Sequence, residues 1–170
     1  MEQLTWLAFP RLKCHLNGLQ AAQISSAPVG TARGVVRDAL TLFDENAALL
    51  QAPPRLVDAL RQRDWPALFL TDRALWREAR LTLFGHALLE KLVEPRKAIT
   101  ALVWLVPEGL DMQAFIVAST TPATPALKPF LPLPVLGVPG WWPANELPAF
   151  YDDRAVFRVV AGQAAGPDRK

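Results

Sequence analysis

The sequence has few of the features that mark secreted, membrane or nucleic-acid-binding proteins. Its single cysteine, Cys14, excludes an intramolecular disulfide and a multi-cysteine metal site, which is typical of a reducing compartment. The first ten residues carry no basic region with an apolar run, so we expect no signal peptide. No apolar run approaches the roughly 20 residues that a bilayer requires. A formal net charge of only +2 argues against a nucleic-acid partner. We therefore expect a cytoplasmic protein without a membrane partner.

The composition is that of a globular domain. Of the 170 residues, 51% are hydrophobic and 20% are charged, and this length suffices for a core without disulfides or metals. We expect one domain over residues 1–161 and a loose tail over 162–170. Length and composition are compatible with a homo-oligomer as well as with a monomer. No phosphate-binding loop, dinucleotide-binding fingerprint or nucleophile elbow occurs in the chain.

Apolar residues recur at helical spacing through the first hundred residues. The pattern predicts helices over 10–24, 35–46, 53–63 and 73–94. The last is apolar around most of its circumference, which is typical of a central, buried helix. The apolar runs at 98–106 and 111–118 fit either a helix or a strand.

The segment 122–148 holds eight of the sixteen prolines, which forbids a regular helix and an internal strand. Large apolar residues accompany the prolines, including Trp141 and Trp142. We therefore expect an extended strap that lies over a helical body. The predicted fold is mainly α: a single domain of about five helices with at most a short β element and this C-terminal strap. An α+β fold is the alternative.

The predicted helix at 35–46 ends on Asp44, Glu45 and Asn46. Asn46 can adopt the left-handed conformation of a C-terminal cap. Two carboxylates at a helix C-terminus oppose the helix dipole, so we expect another group to compensate them. A hairpin turn at these residues is the alternative interpretation.

The strongest candidates for chemistry are His86 and Glu90, four residues apart on the predicted central helix. Side chains at this spacing share a face, and here the face is otherwise apolar. An imidazole beside a carboxylate is either a metal-ligand pair or an acid–base pair, or else a structural hydrogen bond in the core.

A second polar stripe joins Asp38, Thr41 and Glu45, with Asp44 adjacent. If this stripe faces His86, several carboxylates and one imidazole converge, which suits a divalent metal or acid–base catalysis. A solvated helix face, or carboxylates that cap other helices, is the alternative. The candidate catalytic residues are therefore His86, Glu90, Asp38 and Glu45. The candidate metal ligands are His86, Glu90 and Asp38, and the candidate ligand-binding residues are Asp44, Trp141 and Trp142.

Several ordered blocks give the chain a resemblance to a known family. These blocks are Thr5–Lys13 with Leu16-Asn17, Arg37–Asn46, Phe84–Lys91, Pro134–Trp141, Phe150–Asp153 and Val156–Arg158. Together they resemble the proteobacterial family called domain of unknown function 3025. The resemblance implies a bacterial source and no assigned activity. In that family a further segment precedes the Trp-Leu-x-Phe-Pro block, whereas here Met1 to Leu4 lead directly into it.

Three hypotheses about function follow. In the first, the protein is an uncharacterised cytoplasmic domain whose polar cluster is structural. In the second, it is a metal-dependent hydrolase-like enzyme, which requires the two polar stripes to face one shared cavity. In the third, the strap is a docking surface, which requires Trp141 or Trp142 to be largely exposed in an apolar patch.

Overall fold

The computed structural model describes residues 2–26, 34–121 and 130–158. Its α-helices are α1 (Glu2–Ala8), α2 (Pro10–Ser26), α3 (Val35–Asn46), α4 (Pro54–Gln62), α5 (His86–Lys91) and α6 (Met112–Ser119). Its strands are β1 (Ala47–Gln51), β2 (Arg80–Leu83), β3 (Thr100–Leu105) and β4 (Leu131–Pro134). A π-helical turn covers Ala67–Thr71, and 3₁₀ turns cover Arg73–Arg77, Val135–Gly137, Pro143–Glu146 and Pro148–Asp152.

Local sequence explains several helix ends. Helices α2 and α4 begin at Pro10 and Pro54, where a missing backbone N–H costs nothing. Helix α4 is closed by Arg63 in the left-handed conformation, with φ 54°. The carboxylate of Asp111 caps α6 by accepting the Ala114 N–H at 2.7 Å. The predicted helices at 10–24, 35–46 and 53–63 are confirmed.

The strands form one mixed sheet in the order β2-β1-β3-β4. β1 runs parallel to β3, and the outer strands β2 and β4 pair antiparallel with β1 and β3. The fold is therefore α+β. The expectation of a mainly α domain with at most a short β element was wrong, because residues 80–83, 98–106 and the strap each contribute a strand to this sheet.

The sheet separates two apolar cores, since side chains alternate between its faces. Ala48 and Leu50 face α4 and the strap, whereas Ala47 and Leu49 face α2, α3 and α6. β1 is buried along its whole length, as expected for a strand covered on both faces. The architecture is three-layered, and α3 passes directly into the central strand.

The predicted central helix at 73–94 does not form. The chain makes a short 3₁₀ turn, then strand β2, and resumes a helix only at His86. Leu81 and Leu83 pack on one core while Phe84 packs in the other. An apolar run without a polar face fits a helix or a strand equally well, and pairing with β1 decides for the strand.

The two apolar runs that fit either a helix or a strand differ in outcome. The run at 98–106 contains a strand, Thr100–Leu105, and the run at 111–118 corresponds to a helix, Met112–Ser119. The hairpin interpretation of residues 44–46 was wrong, since α3 runs through Asn46. The left-handed cap was also wrong: Ala47 follows in extended conformation, with φ −75° and ψ 149°. A residue that leads straight into a strand requires extended backbone, not a reversal of the chain.

The strap is partly described, from residue 130 onward. Its strand β4 carries Pro132 and Pro134 but lies at the edge of the sheet, where a proline removes no ladder hydrogen bond. Residues 122–129 and the predicted tail at 162–170 lie outside the described residues. None of the helices in the described ranges combines the length and apolar character needed to cross a membrane.

Candidate functional site

The centre of the candidate site is Asp44, in the last turn of α3. Its Oδ1 accepts a hydrogen bond from Nζ of Lys13 on α2 at 2.6 Å. The Lys13 side chain is only 3% exposed, and its ammonium lies 5.2 Å from the centre of the Phe84 ring. The expected compensation of the acidic helix end is thus an ion pair that places a cation beside the negative end of α3.

His86 approaches Asp44 from the other side. Its Nδ1 lies 3.9 Å from Oδ2 of Asp44, and this nitrogen is buried without a hydrogen-bond partner among the described residues. The imidazole as a whole is 23% exposed. One carboxylate therefore stands between a buried ammonium and an imidazole. We call these three residues, Lys13, Asp44 and His86, the α3 cluster.

Gly85 explains how the first residue of α5 comes so near to α3. A Cβ at this glycine would clash with the carbonyl oxygen of Glu45. The Gly85 N–H also donates to the carbonyl of Ala47 at 2.9 Å. Only glycine permits this contact, and the contact brings the neighbouring His86 close to Asp44.

The far end of α5 is tied to α3 by Asn46. Lys91 donates its Nζ to Oδ1 of Asn46 at 2.8 Å, and the Asn46 amide reaches back to the Leu42 carbonyl at 3.4 Å. Polar contacts at both ends of α5 therefore fix it against the last turn of α3.

The structure brings together only part of the predicted constellation. His86 and Asp44 meet, but Asp38 lies exposed in the first turn of α3 and Glu45 is half-buried. Glu90 is exposed beside a cleft of about 720 Å³ that Lys91 also lines. Among the residues that the structure describes, no three His, Cys, Asp or Glu side chains are grouped closely enough to share a metal ion.

Sequence reasoning missed Lys13. The only signal was indirect: the two carboxylates at the end of α3 required a compensating cation. Its identity depends on the packing of α2 against α3, which places together residues 31 positions apart. A helical pattern predicts the face of each helix but not which helices meet.

The strap is fixed by a second polar network, centred on the buried Asn145. Its amide donates to the carbonyls of Leu136 and Val138, each at 2.8 Å, and its Oδ1 accepts from Arg73 at 3.2 Å. Tyr151 donates its hydroxyl to the carbonyl of Gly137 at 2.9 Å. These bonds hold the described part of the strap, from residue 130 onward, in place.

The phenol of Tyr151 and the two candidate tryptophans also belong to this region. Burial raises the pKa of Tyr151 above its ordinary value, against the opposing hydrogen bond and charge of Arg73. Trp142 is half-buried and packs against the core, and Trp141 is 39% exposed. The structure thus presents one of the two tryptophans to solvent.

The comparisons with known proteins agree with the resemblance noted in the sequence. A family model described as "Protein of unknown function (DUF3025)" matches residues 1–160. No curated protein and no solved structure matches the chain.

Proposed function

The chain belongs to the DUF3025 family of proteins of unknown function, and from this premise we propose that it is a bacterial, cytoplasmic, single-domain protein that acts by binding. In this proposal the α3 cluster is a structural clamp that holds α2, α3 and α5 together. The small net charge of +2 favours a small ligand or a protein over nucleic acid as the partner.

The main support for a structural clamp is the burial of Lys13. Its side chain is 3% exposed and its ammonium lies 2.6 Å from Asp44. A catalytic group must come within hydrogen-bond reach of a substrate, whereas the Lys13 ammonium is buried and already paired with Asp44. A buried charge, however, requires a partner, so each member of the pair holds the other in place.

Hydrogen exchange tests the clamp. In Asp44→Asn, we expect amides of α2, α3 and α5 to lose protection, because the Lys13 charge is left buried and unpaired. Amides of α4, on the opposite side of the sheet, should keep theirs. Arg61→Gln is the control, since it removes one charge of an exposed ion pair with Asp58. Unchanged protection of α5 in Asp44→Asn would contradict the clamp.

A catalytic role for His86 is the second candidate, and the position of its Nδ1 favours it. A carboxylate that faces one imidazole nitrogen can orient the ring so that the other nitrogen works as an acid or base. Asp44 occupies this position at 3.9 Å. The metal-dependent version would need Glu90 and Asp38 to move towards His86, since no three such side chains among the described residues are grouped closely enough to share a metal ion.

Elemental analysis of protein purified without chelator separates these possibilities. The clamp predicts the same sub-stoichiometric metal content in wild type and His86→Ala. Near-stoichiometric metal that disappears in His86→Ala would instead support a metal-dependent enzyme with His86 as a ligand.

A further inference from the structure

We propose that a second site, at the β4 edge of the sheet, binds a small phosphate-bearing ligand. The site is a cleft of about 320 Å³ between the end of α4, the edge strand β4 and the segment at 155–158. We call it the arginine cleft. Its lining includes Arg63, Arg158, Trp65, Pro132, Pro134 and Val156. The proposal rests on the binding part of the proposed function and does not involve the clamp.

Charge is the first argument. Two arginines line the arginine cleft, and none of the described residues that line it carries a carboxylate. The guanidinium of Arg63 has no hydrogen bond or ion pair to any described residue. Arg158 uses only its Nε–H internally, donating it to the Ala155 carbonyl at 3.1 Å. Both side chains therefore keep donors available for an anion.

Two carboxylates near the cleft in sequence, Asp64 and Asp153, make contacts elsewhere. Asp153 pairs with Lys97 at 3.2 Å, and this contact lowers the pKa of its carboxyl group. Asp64 accepts the backbone N–H of Ala67 at 3.0 Å. Neither carboxylate lines the arginine cleft, so Arg63 and Arg158 are the only charged residues among the described ones that line it.

The walls of the cleft are stiff and apolar. Pro132 and Pro134 stand two residues apart on β4 and so share one face of the strand. The indole of Trp65 is buried and donates to the Arg158 carbonyl at 2.8 Å, which fixes the backbone that carries this arginine. Arg63 occupies the cap of α4, also a fixed position. Binding would thus require little ordering of the protein.

The chemistry of these groups selects the ligand. Guanidinium forks bind phosphate oxygens in pairs, and proline rings and Val156 provide contact for an apolar body. Because its proline nitrogens lack N–H groups, the β4 edge is poorly suited to adding a peptide strand. The volume lies at the small end of the range for ligand pockets, which suits a phosphate monoester of modest size.

Calorimetric titration of the full chain with phenyl phosphate and with inorganic phosphate tests the proposal. We expect wild type to bind phenyl phosphate, and Arg63→Gln and Arg158→Gln each to weaken binding about tenfold or more. The matched controls are Arg61→Gln and Arg154→Gln, which remove the same charge from exposed arginines outside the cleft. Both controls should bind as wild type does.

The two probes distinguish the source of the phosphate group. Tighter binding of phenyl phosphate supports an organic monoester, and equal binding of both probes supports free phosphate as the ligand. No binding of either probe, or equal losses in control and cleft variants, would overturn the proposal. Hydrogen exchange of α5 measures the clamp separately, so failure of either proposal is recognisable by itself.

Discussion

Replacing the two charged partners of the α3 cluster, singly and together, tests the structural clamp quantitatively. The variants are Lys13→Met, Asp44→Asn and the double variant. We expect each single substitution to destabilise the protein and the double variant to be more stable than Asp44→Asn alone. The reason is that a buried charge without its partner is worse than no charge at all.

The expected loss of stability follows from the distance between the Lys13 and Asp44 charges and from their burial. At an effective dielectric of about 20, opposite charges 2.6 Å apart attract by roughly 6 kcal/mol. Desolvation costs several kcal/mol per ion and offsets most of this attraction. Breaking the pair should therefore cost about 3–5 kcal/mol. We expect the larger loss for Asp44→Asn, because it leaves unpaired the Lys13 charge, whose side chain is only 3% exposed. Lys13→Met leaves unpaired the Asp44 charge, which is 21% exposed and retains His86 as a neighbour.

Urea and thermal unfolding followed by circular dichroism measure these free energies. For a chain of 170 residues, the single variants should melt roughly 6–20 °C below wild type. A parallel cycle on Asp58 and Arg61, both more than half exposed, should give a coupling energy of about 0.5 kcal/mol or less. If the effects of Lys13→Met and Asp44→Asn simply add, the two charges do not interact and the reasoning fails.

Two further perturbations test the packing of α5 and the strap. Gly85→Ala should lower the free energy of unfolding by about 3 kcal/mol, because its Cβ would meet the Glu45 carbonyl. Gly18→Ala, within α2 and with open space around it, should raise it by about 0.5–1 kcal/mol; equal effects in urea unfolding would refute the close approach. Tyr151 is the only tyrosine, so the phenolate absorbance should titrate with a midpoint above pH 10.0, and Arg73→Gln should raise that midpoint further. Because the folded protein holds this proton more tightly than the unfolded chain, stability should decline as the pH rises above 10.0; an ordinary midpoint would contradict the burial of the phenol.

The pH response of Asp153 has the opposite sign. Lys97 keeps the pKa of this carboxyl below its ordinary value of 3.8 in the folded protein. The unfolded chain therefore takes up the proton first as the pH falls, and the contribution of this pair is lost below pH 3.8. The group is exposed, so its effect on stability should be small.

The sequence by itself determined the features that depend on neighbouring residues. Helices α2, α3 and α4 follow from apolar spacing and from Pro10 and Pro54 at their first positions. The proline-rich strap was recognisable because proline forbids the regular alternatives. The acidic end of α3 indicated that a cation must lie nearby, since carboxylates there oppose the helix dipole.

Only the tertiary structure decided which of these segments meet. The apolar run at residues 73–94 is compatible with a helix, yet pairing with β1 makes residues 80–83 a strand. The position of Lys13 beside Asp44, and of Gly85 against Glu45, depends on contacts between segments distant in the chain. Periodicity reports which face of a segment is apolar, but the choice of partner belongs to the packing of all segments at once.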